Sequence, residues 1–397
     1  MLPRAAAPLL LPLLRCSRGA AASATATAAA AAAAAQCARL STAPPVVDWA
    51  RLAQAAINPS VAARLESTGF AVVDGALPPD LCAALRGEID ALRAADGAMR
   101  PNHTHLVTPG GAGGGEGGLQ LLAKAGIWEA EMDADSSLGV LLSLFLPRLR
   151  LDGRGIKAQL NEGGGGAFPM HTDSEEGLDG RRVTAIYYLN ESWSPGDGGE
   201  LRLYPFPVAP PVDVAPLAGR LVLFSSTQMH HRVLPSRARR YCFTNWLSES
   251  RARRAAPSPQ PPPPPPQPPQ PQPAPPSGPA SAAGAASAAS AAGAGSAAGA
   301  APGAAPDGGA EVRRFLLHPA VRRHVVKLAY AEEWERSLRE SHPPGPALDA
   351  AVAAHRGGAD KARRALAPYA AEVEALAAAA AAGGGGALPP DAAVRWF

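Results

Sequence analysis

Residues 157–249 constrain this chain more than any other part of it. The stretch opens with KAQLNEGGGGAFPMHTD, continues through RRVTAIYYLNESW and GGELRLYPFP, and closes with GRLVLFSSTQMHHRVLPSRARRYCFTNWLSE. Four strand-like runs are separated by glycine- and proline-rich turns, the pattern of a β-core. Each run also carries one or two polar residues that a plain core would not need.

His171 and Asp173 stand two apart, so on an extended segment both side chains leave the same face. Another imidazole arrives 60 residues downstream, in the pair His230-His231. Two imidazoles and one carboxylate can form a facial triad with open coordination positions, the set expected of a non-haem Fe(II) oxygenase. Structural zinc would take four protein ligands, usually with cysteine among them, and Cys242 is the cysteine near these residues. Nine residues after His231 comes Arg240, and alternation puts Arg240, Cys242, Thr244 and Trp246 on one face. An arginine turned into a small β-barrel requires a partner, and a dicarboxylate co-substrate could supply it through a bidentate pair. Thr244 and Tyr188 are candidates to add hydroxyl hydrogen bonds to the same carboxylate.

These motifs resemble the catalytic core of the 2-oxoglutarate- and Fe(II)-dependent dioxygenases, on the prolyl 4-hydroxylase branch. DGRRVTAIYYLNESW, GGELRLYP and HRVLP…RRYCFTNW are most similar to the hypoxia-inducible-factor type of prolyl hydroxylase. The resemblance implies an α+β fold, a double-stranded β-helix (jelly roll) over about 154–249 with supporting helices on both sides. It implies His171, Asp173 and His231 as iron ligands, and Arg240 as anchor of the distal carboxylate of 2-oxoglutarate, with Tyr188 and Thr244 helping and Trp246 lining the pocket. It further implies dioxygen as co-substrate, L-ascorbate to keep the iron reduced, and a prolyl residue of a protein as substrate. Another protein side chain or a small metabolite is the alternative substrate. The family's His-x-Val-x-Pro spacing to Arg240 selects His231, and strand alternation then places His230 on the opposite face, as a surface imidazole or a neighbour of the site. Where the hypoxia-type enzymes carry a tyrosine upstream of the first ligand, this chain has Asn161, at a position expected to face co-substrate and peptide. That departure bears on substrate more than on chemistry.

Two other readings compete. A non-catalytic jelly roll could recruit partners through its proline-rich arm, but the complete triad and anchor argue against it. A metal-dependent hydrolase could use the same ligands but leaves Arg240 and Tyr188 without a purpose.

Outside the core, composition divides the chain. Residues 1–47 hold no Asp or Glu and carry Arg4, Arg15, Arg18 and Arg39 among Ala, Leu, Ser and Thr, which reads as an organellar transit peptide, the mitochondrion favoured and the chloroplast the alternative. Removing those four arginines takes the formal charge from +3 to −1, so no nucleic-acid-scale basic surface is expected. No membrane span is expected either. Of four cysteines, Cys82 and Cys242 fall in the mature chain and form no CxxC or disulfide framework.

Residues 48–250 form the expected dioxygenase domain. A helical pattern over Trp49–Leu65 precedes a strand over Phe70–Leu77, a helix from Pro79 to about Ala95 and a helix over Ser137–Leu149. His103 and His105 read as a surface loop, and Gly110–Gly118 as a flexible loop with neither a Walker nor a Rossmann pattern around it. Residues 251–310 are proline-rich and then Ala/Gly/Ser-rich, an expected disordered linker and a possible docking arm for an SH3-like partner. In the helical segment 311–397, Phe315, Val321, Val325, Leu328, Trp334 and Leu338 line one stripe, so 311–341 is expected to break at Pro319 and dock on the catalytic domain. Residues 346–380 read as Ala-rich helix.

Overall fold

A computed structural model describes residues 47–95, 99–101, 120–123, 135–175, 179–250, 308–382 and 394–397. The leader through residue 46, His103 and His105, the glycine run 110–118 and the linker 251–307 lie outside the described residues.

Helices α1 (Trp49–Ala56) and α2 (Pro59–Thr68) split the first helical pattern. The break has a local cause: Asn58 caps α2 by accepting from the amides of Ser60 and Val61, and Pro59 fits the first turn. Strand β1 (Phe70–Val73) is shorter than the expected Phe70–Leu77, because the chain turns at Asp74-Gly75 with Gly75 at φ 69°. Then follow α3 (Pro79–Ala94), β2 (Arg100–Pro101), β3 (Gln120–Ala123) and α4 (Ser137–Phe145). Helix α4 ends four residues short of the expected Leu149, just before Pro147.

The barrel strands are β4 (Gly153–Asn161), β5 (Gly166–His171), β6 (Arg181–Tyr188), β7 (Leu201–Tyr204), β8 (Val212–Val214), β9 (Leu221–Ser225), β10 (His230–Ser236) and β11 (Arg240–Ser248). They form two antiparallel sheets, a major sheet ordered β1-β9-β6-β11-β4-β3-β2 and a minor sheet ordered β5-β10-β7-β8. Antiparallel sheets with helices packed on them make this an α+β double-stranded β-helix.

Alternation sorts the major sheet into two apolar faces. Tyr187, Leu221, Leu223, Tyr241 and Phe243 face the helices α1–α4 with Leu65, Leu85 and Leu142. Ile186, Tyr188, Val222, Phe224 and Cys242 face the barrel interior, where Phe168, Leu201, Leu203 and Val233 of the minor sheet meet them. A sheet buried on both faces explains why these strands read as near-continuous apolar runs.

The C-terminal segment has one more break than its sequence suggested. Helices α5 (Gly308–Leu316), α6 (Pro319–Ala329) and α7 (Ala331–Ser341) are separated at Pro319 and again at Tyr330, whose φ of −116° is outside the helical range. Helices α8 (Pro346–Ala365) and α9 (Ala370–Ala381) flank a 3₁₀ turn at Ala367–Tyr369. Leu316, Val325, Val326, Leu366, Tyr369 and Leu376 close this layer around Phe206. Residues 394–397 return to the barrel, where Trp396 is 2 % exposed and donates from Nε1 to the Ser67 carbonyl at 3.3 Å. Gly69, at φ 80°, is the only residue type this contact permits, because a Cβ there would lie 2.3 Å from the indole. Among the described residues no helix is long and apolar enough to cross a membrane.

Candidate active site

Strands β5 and β10 pair with His171 opposite His231, so the register itself brings the two imidazoles together, ring centroids 4.3 Å apart. Asp173 lies in the bend just past the end of β5 rather than on the extended strand that the spacing suggested. Its Oδ1 is 3.6 Å from the Nε2 of both histidines. That is long for a hydrogen bond and suits three atoms arranged around one ion. All three candidate ligand atoms lie within 4.8 Å of one another. His171 Nδ1 faces the Pro169 carbonyl at 2.8 Å and His231 Nδ1 faces the Met229 carbonyl at 3.1 Å. A carbonyl only accepts, so in each neutral ring the proton sits on Nδ1 and the Nε2 lone pair points into the site.

The other Asp173 oxygen is held from the major sheet. Oδ2 accepts from Thr184 Oγ1 at 2.6 Å and from Trp246 Nε1 at 3.0 Å, and Thr184 and Trp246 are register partners on β6 and β11. Ser226 Oγ, 2.8 Å from Thr184 Oγ1, extends the chain of bonds. Burial opposes ionisation of Asp173, yet the imidazoles beside it, His231 first, outweigh burial and hold its carboxyl well below the usual carboxylate range. Burial, then the neighbouring His171, lowers the pKa of His231 and favours the neutral ring that a metal needs.

Arg240 is 3 % exposed. Its Nε donates to the Gly199 carbonyl at 2.8 Å and its Nη2 to the Tyr188 hydroxyl at 3.0 Å, while Nη1 lies 3.3 Å from Cys242 Sγ. No carboxylate pairs with it among the described residues. Gly199, in the GGEL turn, sits at φ 77°, and a Cβ there would come within 3.1 Å of Arg240 Cδ. Burial pushes the Tyr188 hydroxyl up to about 12, so it stays protonated.

A pocket joins the two ends of the site, lined among others by Phe168, His171, Asp173, His231, Arg240, Thr244 and Trp246. Donor set and anchor fit a divalent metal and a diacid: two imidazoles and a carboxylate at one end, a buried guanidinium without a counter-charge at the other.

Several residues sit differently from expectation. Tyr188 lies behind Arg240 rather than on the pocket wall; it steadies the guanidinium. Trp246 lines the pocket as expected and also donates to Asp173, which spacing could not reveal. Asn161 does not reach the pocket: Nδ2 donates to the Gly166 carbonyl at 2.8 Å and Oδ1 accepts from the Gly163 amide at 3.0 Å, closing the tetraglycine turn. His230 faces away from the triad as alternation requires, but it is 5 % exposed against Trp334, because α7 covers the outer face of the minor sheet. Thr184, Ser226, Lys157 and Gln159 were missed. Alternation along Lys157-Ala158-Gln159 would have put Lys157 and Gln159 on the inward face with Asn161.

Residues 158–248 match the sequence model of the 2OG-Fe(II) oxygenase superfamily. Over 93 residues the chain is 41 % identical to a hypoxia-inducible factor prolyl hydroxylase of Caenorhabditis elegans, covering 23 % of this chain and 13 % of that one. Over 96 residues it is 40 % identical to the human prolyl hydroxylase EGLN3, covering 24 % of this chain and 40 % of that one. The match thus spans well under half the length of these curated relatives. A crystal structure from work on prolyl 4-hydroxylases of Phytophthora capsici superposes with a TM-score of 0.59 at 26 % identity, covering 85 % of this chain and 99 % of that one. Residues 158–248 therefore form a 2OG-Fe(II) oxygenase superfamily domain, and its similarities fall on the prolyl hydroxylase branch.

Proposed function

We propose that the protein is a 2-oxoglutarate- and Fe(II)-dependent dioxygenase that hydroxylates a prolyl residue of a protein, releasing succinate and carbon dioxide. The observation that carries this is the meeting, in one pocket, of three ligand atoms and a buried Arg240 that no carboxylate pairs among the described residues. Bound Fe(II) and 2-oxoglutarate would supply the oxidising power that couples dioxygen to C–H hydroxylation. The chain's own residues bind and orient. His171, Asp173 and His231 would hold the metal and leave positions open. Arg240, kept in place by Tyr188 and the Gly199 carbonyl, would take the distal carboxylate as a fork-shaped pair, with Thr244 offering a hydroxyl beside it. Trp246 and Thr184 occupy Asp173 Oδ2 and so aim Oδ1 at the metal. Phe168, Leu201 and Val233 keep water from the pocket wall.

A prolyl substrate is supported by the worm and human relatives, both prolyl hydroxylases. L-Ascorbate as reductant, and delivery to an organelle by residues 1–47, the mitochondrion ahead of the chloroplast, complete the proposal. The test is succinate production by the purified chain with Fe(II), dioxygen and a proline-containing peptide. Arg240→Met should weaken 2-oxoglutarate binding by roughly two orders of magnitude, the consequence of removing one partner of a buried charge pair. No succinate from a protein with confirmed Fe(II) loading would refute the reading.

A further inference from the structure

Lys157 lines the pocket, yet nothing in the proposed reaction uses it. It enters from β4 opposite Thr244, between the Arg240 end of the ladder and the Trp246 end and nearer the latter. Its Nζ lies 5.8 Å from the centre of the Trp246 ring, and the Arg181 guanidinium carbon lies 4.6 Å from the same ring. Arg181 is engaged, donating to the Asp173 carbonyl at 3.1 Å and pairing with Asp179 at 3.3 Å. Lys157 makes no hydrogen bond or ion pair among the described residues and is half-buried. The Asp173 carboxylate attracts the ammonium from a distance, but no carboxylate pairs with it directly, and a partly desolvated charge left unpaired is unfavourable.

The charges of the loaded site identify what is missing. A divalent metal and a doubly charged acid cancel, Arg240 offsets Asp173, and the Lys157 ammonium remains over. The diacid is already matched at both ends, and Lys157 stands between them, over the indole beside Asp173. We infer that Lys157 pairs with a carboxylate of the substrate next to the residue that is hydroxylated, so that this site selects acidic peptides. The inference rests on the dioxygenase reading and names the substrate class for it.

The test uses the full chain with Mn(II) in place of Fe(II) and 2-oxoglutarate present, so that binding is read without turnover. Two fluorescein-labelled peptides, identical except for Glu or Gln on either side of a single proline, are titrated by anisotropy. The wild type should favour the Glu peptide by about tenfold at low salt, as for one partly desolvated charge pair. Lys157→Gln should abolish that preference and leave 2-oxoglutarate affinity unchanged, and Lys157→Arg should retain the preference. An equal preference in Lys157→Gln, no preference or no binding in the wild type, or a loss that falls on 2-oxoglutarate instead would each overturn the inference. Should Lys157→Gln not fold, the wild-type preference must fade as salt is raised, and its persistence counts against a charge pair. Wild-type succinate formation with Fe(II) is measured separately: its failure removes the dioxygenase reading, while the peptide ratio still judges Lys157.

Discussion

On the major sheet, α1–α4 present Trp49, Leu65, Leu85, Ile89 and Leu142 to an apolar face, and the polar bonds of Arg86, Asp90 and Arg93 from α3 aside, the contact is made of side-chain volume. On the minor sheet, α7 presents Glu333, Trp334, Ser337 and Glu340 to strands whose outward residues are polar. Glu333 accepts from Arg202 Nη1 at 2.8 Å and from the Tyr204 hydroxyl at 2.7 Å, Glu340 pairs with the buried Arg232, and the Met170 amide donates to Ser337 Oγ at 3.0 Å. The first layer stabilises without caring where a strand ends; the second holds particular atoms of β5, β7 and β10. Met170 precedes His171, and Arg232 follows His231, so the directional layer is attached to the strands that carry the two candidate histidine ligands. Apolar burial is non-directional, whereas hydrogen bonds and ion pairs fix position.

Four measurements separate the two layers. Leu142→Ala, at a fully buried site in α4, should cost about 3 kcal/mol of unfolding free energy in urea and leave Co(II) affinity of the folded protein unchanged. A matching loss of metal affinity would erase the distinction between the layers. Glu333→Ala should cost about 2 kcal/mol, because it strips a partly buried partner from Arg202 and Tyr204, and it should also weaken Co(II) binding. Ser337→Ala leaves the buried Met170 amide without its acceptor, at about 1–2 kcal/mol, and should lower Co(II) affinity about tenfold. Ser337→Thr should restore most of both, since the hydroxyl returns.

The fourth effect is in pH. Burial, then Arg322 and the neighbouring imidazoles, brings the His230 pKa down to about 3. The unfolded chain therefore binds this proton near pH 6.5 while the folded chain does not, so the metal-free protein should lose stability as pH falls from about 6.5 toward 3. One such group sets a slope of at most about 1.4 kcal/mol per pH unit. His230→Phe, which keeps a ring against Trp334, should flatten the slope; an unchanged slope would assign it to other groups.

The candidate site was legible because its residues are of rare type at fixed spacing. His171, Asp173, His231 and Arg240 lie on or beside strands whose period of two sets which way each side chain faces, and that period survives in one dimension. The inward face of β11 followed from the same rule. Asn161 was misplaced because the rule gives a face but not a partner, and the tetraglycine turn offered its amide nearer partners than the pocket did.

What the sequence by itself determined is thus the β-core, the candidate ligand and anchor residues and the helical character of both flanks, all properties of local periodicity and residue chemistry. What only the tertiary structure decided are contacts between distant segments: Trp246 and Thr184 on Asp173, Tyr188 behind Arg240, α7 over His230, and Trp396 against Gly69. Each depends on strand register or helix docking across tens to hundreds of residues, which the free energy of the whole packed chain selects and no local pattern encodes.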